Sequence, residues 1–195
     1  ACYAKGCTYL LAGDSDSGKT VIALTALAEA CLSKNFDDYA LIHDNSEKKP
    51  VMDLMHFFGQ ETAKRVRSIC SASLEDFYFN LDDCTAKGPC IFVEDSMDAL
   101  APKADVDHYK ASRRAYKKGE EGAGSYGTAK AKLNSSHMRL AANMLRKNGS
   151  ILILLAQTRD KIGAGYWERE KRTRGGGRAL KFYSSIELWS AVKKE

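Results

Sequence analysis

Eight residues constrain this chain more than any others: Gly13, Asp14, Ser15, Asp16, Ser17, Gly18, Lys19 and Thr20. They read G-x-x-x-x-G-K-T, the pattern of a phosphate-binding loop. Their flanks match what that chemistry needs. The apolar stretch Thr8 to Ala12 precedes the loop as a buried strand would. Val21 to Leu32 follows it with Val21, Leu24, Leu27, Ala28 and Cys31 spaced for one helical face. Glycines let the backbone fold around phosphate oxygens, while amides at the helix start face the negative charge. Lys19 is placed to reach the β- and γ-phosphates of a nucleotide, and the Thr20 hydroxyl to bind Mg²⁺.

A second carboxylate should complete such a site. Cys90 to Val93 is apolar and runs through Glu94 into Asp95, which predicts a strand delivering a metal-binding carboxylate at its C-terminal end. Asp95 is the expected Mg²⁺ carboxylate, because Glu94 points to the opposite side of the strand. Tyr39 to His43 predicts another strand, and the polar loop Asp44 to Pro50 then lies where open α/β sheets bind their ligands. Ser150 to Ala156 is a continuous apolar run, as in a strand buried on both faces. It ends at Gln157, an amide at the same sheet edge as the phosphate loop and able to sense a nucleotide there; a strand-capping amide is the other reading.

Between these strands the periodicity predicts helices over Val51 to Lys64, with Val51, Leu54, Met55 and Phe58 facing inward, and over Leu133 to Asn148, with Met138, Leu140, Ala141, Met144 and Leu145 on the apolar face. Ser73 caps a further helix with Glu75 and Asp76 in its first turn. Arg65 to Cys70 suggests a short strand, and a short helix over 179–184 precedes a last strand over 185–192. Alternation of this kind predicts an α/β fold, three-layered, with a mostly parallel central sheet.

The chain's 195 residues suit a single domain, 1–195, and 28% charged with 44% hydrophobic residues is the balance of an ordinary soluble globule. No apolar run approaches the ~20 residues that cross a bilayer. Six cysteines without a C-x-x-C pair, and four histidines without zinc spacing, argue against a disulfide framework or a structural metal. A cytoplasmic location is expected. The net charge of +5 says little alone, but the cations cluster. Lys103 to Lys132 carries Lys103, Lys110, Arg113, Arg114, Lys117, Lys118, Lys130 and Lys132, with Tyr109, Tyr116 and Tyr126 among them, and is expected to be a long basic loop or insertion. The stretch 159–178 holds seven basic residues, Arg159, Lys161, Arg169, Lys171, Arg172, Arg174 and Arg178, together with five glycines. Cations that track phosphates and aromatics that stack on bases make the first stretch a candidate nucleic-acid contact, with a solvated surface excursion as its other reading; a glycine-rich basic loop like the second, inside a compact domain, is more often functional or disordered than structural.

Four motifs in the second half carry a family likeness. They are 93–104 (VEDSMDALAPKA), 136–144 (SHMRLAANM), 157–163 (QTRDKIG) and 176–185 (GGRALKFYSS). Together with the phosphate loop they resemble the RecA recombinase family, over nearly the whole chain but only its ATPase core. The resemblance implies a RecA-like P-loop fold, ATP and Mg²⁺ as ligands, single-stranded DNA as partner, and assembly into a homo-oligomeric filament. It implies that Gln157 couples the γ-phosphate to a DNA-binding loop, and that Lys181 and Phe182 face a neighbouring subunit's nucleotide. The two basic stretches would be the DNA-binding loops. The family also places a glutamate just after the second strand to orient the attacking water. Aligned without gaps, Asn45 falls there; a small shift brings Glu47. Glu47 is the favoured residue, since an amide cannot accept the water's proton, and the expected catalytic set is Glu47, Lys19 and Gln157. A ring-forming helicase-type motor core and a nucleotide-gated assembly module with little hydrolysis are the competing readings.

Overall fold

The computed structural model describes residues 3–49, 52–119, 129–160, 172–175 and 177–192. Its core is a sheet in the order β3-β2-β4-β5-β1-β7, with β6 pairing to β5 off that path. The strands are β1 (Thr8–Gly13), β2 (Ala40–Asp44), β3 (Val66–Ile69), β4 (Cys90–Glu94), β5 (Ile151–Asp160), β6 (Arg172–Arg174) and β7 (Ile186–Ser190). Every pair is parallel except β5 with β6. Parallel pairing delivers the C-terminal ends of β1, β2, β4 and β5 to one edge, where ligands of open α/β sheets bind.

Alternation along the strands builds two cores. Leu10, Phe92, Leu152 and Leu154 point to one face and pack against Phe77 and Leu81 of α4 (Leu74–Lys87), Met138 and Leu145 of α6 (Ala129–Asn148) and Leu180 of α7 (Gly177–Tyr183). Leu11, Leu41, Ile91 and Ile153 point to the other and meet Leu24 and Leu27 of α1 (Lys19–Leu32). Burying each Leu, Ile or Phe stabilises by roughly 1.5–3 kcal/mol relative to exposure, so both faces of the sheet need their helices. The result is the anticipated three-layer α/β architecture. Cys7, Cys31, Cys70, Cys84 and Cys90 are free thiols, and no described helix is long and apolar enough to cross a membrane.

Several local expectations are corrected. The helix anticipated over 51–64 is broken into α2 (Leu54–Phe58) and α3 (Gln60–Arg65) by Gly59, whose φ of 85° and ψ of 173° are not helical. Leu54 and Phe58 pack inward, but Met55 is 53% exposed. Val21, on the first turn of α1, is 44% exposed; Ala23, Leu24, Leu27, Ala28 and Ala30 make the buried stripe. Leu140 is likewise exposed, and buried Asn134 takes an inward position on α6, accepting a hydrogen bond from Tyr78 Oη at 2.8 Å. The basic stretch at 103–117 is a helix, α5 (Lys103–Lys117), rather than a loop. It holds no glycine or proline and is rich in alanine, lysine and arginine, all strong helix formers. β5 runs on past Gln157 to Asp160 because β6 pairs with that extension, Thr158 opposite Arg174 and Arg159 opposite Thr173. β7 pairs only with β1 among the described residues, and its Ile186, Leu188 and Trp189 are 44, 43 and 52% exposed.

Candidate functional site

The phosphate loop connects β1 to α1 at the carboxyl edge. Only glycine fits at position 13, where a Cβ would lie 2.2 Å from Ser190 Oγ and 2.6 Å from Ser17 Oγ. Ser17 Oγ donates to Asp14 O at 2.7 Å and shares a hydrogen bond with Ser190 Oγ at 2.8 Å, so the loop is tied to both ends of itself and to β7. Gly18, at φ 83°, turns the chain into α1 without a side-chain cap, and no acidic residue occupies the first turn. The amides there have no capping side chain, and the positive end of the helix faces the loop. Lys19 folds back across it, its Nζ donating to Gly13 O at 3.0 Å and Asp14 O at 2.6 Å. Burial lowers the Lys19 pKa below the ordinary lysine value, and Glu47, Asp95 and Asp14 offset this only in part. Uncapped amides and one sheltered ammonium converging on a glycine cradle fit a phosphate chain.

Across the loop, Thr20 Oγ1 donates to Asp95 Oδ2 at 2.6 Å. His43 Nε2 stands 3.7 Å from the same oxygen. No group of three or more His, Cys, Asp or Glu among the described residues is arranged to hold a metal. A hydroxyl and a carboxylate in contact are nevertheless what Mg²⁺ uses beside substrate phosphates, since it keeps most of its shell as water and phosphate oxygen. Glu94 is on the other side of the strand, fully buried. Burial, and next to it the Asp44 carboxylate, hold its pKa well above the usual glutamate range. Asp44 itself is engaged by Ser71, whose backbone N donates to Oδ1 at 2.7 Å and whose hydroxyl donates to Oδ2.

The choice between Asn45 and Glu47 is visible in the loop after β2. Asn45 turns away, its Nδ2 donating to Lys49 O at 2.7 Å. Glu47 turns into the crevice, where Oε1 accepts from Ser96 Oγ at 2.6 Å and from Gln157 Nε2 at 3.1 Å. Its other oxygen pairs with Lys49 Nζ at 2.5 Å. Burial raises the pKa of this carboxyl, but hydrogen bonds from Lys49, Ser96 and Gln157 outweigh it, and the net shift is downward. The backbone supports the placement: Glu47 N donates to Asp95 O at 3.1 Å, and Asp95 N to Asp44 O at 2.8 Å. Thus Lys19 and Thr20, Glu47, Asp95 and Gln157 come from four stretches of the chain and meet along one edge.

The family model described as the RecA N-terminal domain matches residues 1–194. This chain belongs to the RecA family. It is 33% identical to protein RecA of Chlorobaculum tepidum over 184 residues, covering 90% of this chain and 46% of that protein. Protein RecA of Macrococcus caseolyticus is 30% identical over 198 residues, and that of Halalkalibacterium halodurans 29% over 194, each match covering 95% of this chain and 48% of the relative. The chain therefore spans about half the length of the curated relatives it matches.

The basic candidates divide. Arg159 is 63% exposed along its side chain while its Nη2 bonds Asp98 Oδ1 at 2.8 Å. Arg178 and Lys181 are exposed on α7, and Phe182 is 79% exposed. Arg174 departs from the expectation of a free cation: its side chain is 7% exposed, its Nε pairs with Glu187 and its Nη1 donates to Gly177 O at 3.3 Å. Lys130 is also turned inward, its Nζ donating to Met97 O at 2.5 Å and Leu100 O at 2.6 Å. Lys161, Arg169, Lys171 and the side chain of Arg172 lie outside the described residues. Sequence reasoning missed Ser96 and Lys49, which hold Glu47, and Thr158, whose hydroxyl donates to Asp14 in the phosphate loop. It also missed Asp98. Ser96 and Asp98 lie in the 93–104 motif and Thr158 in the 157–163 motif, and neither motif marks them out singly.

Proposed function

We propose that this chain is the ATP-binding core of a DNA-dependent ATPase of homologous recombination and DNA repair, which binds single-stranded DNA and assembles as a filament. The observation that carries this reading is the Glu47–Gln157 hydrogen bond at the mouth of the phosphate loop. It joins a carboxylate suited to water activation to the first polar residue of the strand leading into a basic segment.

In this reading the α1 amides and Lys19 hold the triphosphate and neutralise charge that grows on it during in-line attack by water. Thr20 and Asp95 would hold Mg²⁺, which supplies charge neutralisation on the phosphate oxygens. Glu47, kept ionised by Lys49, Ser96 and Gln157, orients the water and accepts its proton. Contact of Arg159 and Arg178 with DNA phosphates acts on β5, and Gln157 relays the change to Glu47. Lys181 and Phe182, exposed on α7, meet the next subunit.

The test is steady-state ATP hydrolysis with and without single-stranded DNA, at low and moderate salt. Stimulation by DNA that declines as salt rises is the expected outcome. ATP binding with no stimulation at any salt would overturn the DNA-dependent reading, and electron micrographs of the same samples decide between filaments and isolated particles.

A further inference from the structure

Asp98 has no role of its own in the sequence reading of the 93–104 motif, yet its carboxylate bonds both Gln157 of the crevice and Arg159 of the basic segment. It occupies the turn after β4, and that turn is held from two sides. Met97 N donates to Leu155 O at 2.9 Å and Ala99 N to Ser96 O at 3.0 Å. Opposite them, the Lys130 ammonium donates to Met97 O and Leu100 O at 2.5 and 2.6 Å. The carboxylate is presented from fixed backbone, with its side chain only 8% exposed.

Both oxygens engage β5. Oδ2 accepts the backbone N–H of Gln157 at 2.7 Å, and Oδ1 accepts from the Arg159 guanidinium at 2.8 Å. Gly175, next after β6, closes the remaining side, since a Cβ there would fall 2.0 Å from Oδ1. An N–H donated to a carboxylate is a charge-assisted bond, stronger than its neutral counterpart. The N–H in question belongs to the residue whose side-chain amide reaches Glu47 at 3.1 Å. Fixing that backbone limits where the amide can go. The Arg159 side chain is meanwhile 63% exposed, and its guanidinium carries several donors that a phosphodiester can contest.

We propose that Asp98 is a positioning residue: it sets Gln157 against Glu47, and through Arg159 it makes that setting responsive to nucleic-acid phosphate. The kinetic consequence rests on the ATPase reading above; the contact itself does not. Asp98 touches neither nucleotide nor attacking water and acts only through its neighbours.

The experiment compares Asp98→Ala, Asp98→Asn and Gly175→Ala in the whole chain, by ¹H–¹⁵N NMR of the Gln157 backbone and side-chain amides and by ATPase kinetics with oligo(dT). Loss of one charge-assisted bond predicts about tenfold faster exchange of the Gln157 backbone amide in Asp98→Ala, and about tenfold lower kcat. The KM for ATP stays within about twofold, because no nucleotide contact is removed. The side-chain amide resonance moves as it does in Glu47→Gln. Asp98→Asn keeps an acceptor for Gln157 but gives up the charge facing Arg159. Its Gln157 exchange and turnover without DNA fall between those of wild type and Asp98→Ala, and it loses most of the stimulation by oligo(dT). Gly175→Ala displaces the carboxylate without altering it and reproduces Asp98→Ala, which keeps the test open if the alanine variant does not fold. Unchanged Gln157 exchange and resonance in both Asp98→Ala and Gly175→Ala overturn the positioning role. Full stimulation in Asp98→Asn overturns the Arg159 limb. A wild-type chain without ATPase activity would defeat the proposed function instead, and the amide measurements would still decide for or against Asp98.

Discussion

At the carboxyl edge of the sheet Lys19, Asp44, Glu94 and Asp95 are 9, 0, 0 and 7% exposed, whereas helix α5 buries none of its residues. Both regions are dense in charge. In the crevice most ionised groups have a named partner at hydrogen-bond distance, and removing one leaves the other desolvated and unmet, which costs far more than a surface pair contributes. On α5 the Lys110–Asp107 pair spans 3.8 Å between two well-exposed side chains, a geometry worth between nothing and about 1 kcal/mol. Charge in the crevice acts by position; on α5, apart from Lys103 at its start, which pairs with Asp76 at 2.8 Å, charge acts as a summed, salt-screened field.

That contrast breaks if single substitutions in the crevice are mild. The largest effect should come from Lys19→Ala, which removes the ammonium folded over the loop. Hydrolysis should fall by about 10²–10³-fold or more with the circular dichroism spectrum unchanged, and retained turnover would place the phosphate site elsewhere. Next, Glu47→Gln should lower kcat by about 100-fold while nucleotide still binds. Asn45→Ala, facing away, should leave kcat within about twofold; the reverse pattern would exchange their roles.

Glu94 sharpens the comparison through stability. Burial raises its folded-state pKa above the unfolded one, so its contribution is whole below the ordinary glutamate value and is lost as pH rises through the raised value. Glu94→Gln cannot ionise. Denaturation midpoints of the two proteins should coincide below about pH 4 and diverge above it, with wild type the less stable. Parallel curves would show that Glu94 is not held neutral. The smallest effect belongs to α5. Neutralising Arg113, Arg114 and Lys117 should change stability by less than about 0.5 kcal/mol. The salt slope of oligo(dT) binding should flatten by about one for each DNA phosphate left without its cation. A large drop in stability would mean that α5 charge is positional after all.

The sequence carried the crevice well because each piece has a local signature. A glycine loop between strand and helix, an apolar run ending in Asp95, and another ending in Gln157 are legible without knowing what lies beside them. Glu47 is favoured over Asn45 on chemistry alone, because loop length decides which residue turns inward and no periodicity reports it. α5 was misread for the opposite reason: the glycines of 119–127 coloured a stretch whose first half contains none. Arg174 resembles its basic neighbours in sequence, and only the strand arrangement brings it to Glu187. Asp98 stands unmarked inside the 93–104 motif, and Lys130 counts only as one cation among those of 103–132. Their roles depend on a turn after β4 meeting β5 and α6, which is tertiary information.

The exposed apolar side chains of β7 bear on how the chain behaves in a tube. An outer strand showing Ile186, Leu188 and Trp189, with no neighbour beyond it among the described residues, offers both a sticky face and open backbone groups for strand addition. Such clumping needs no nucleotide, grows with protein concentration and is strengthened by salting-out ions. Assembly on nucleic acid weakens as salt rises. A titration with sulfate therefore separates the two by the sign of the response, before any image of an elongated particle is taken as a working polymer.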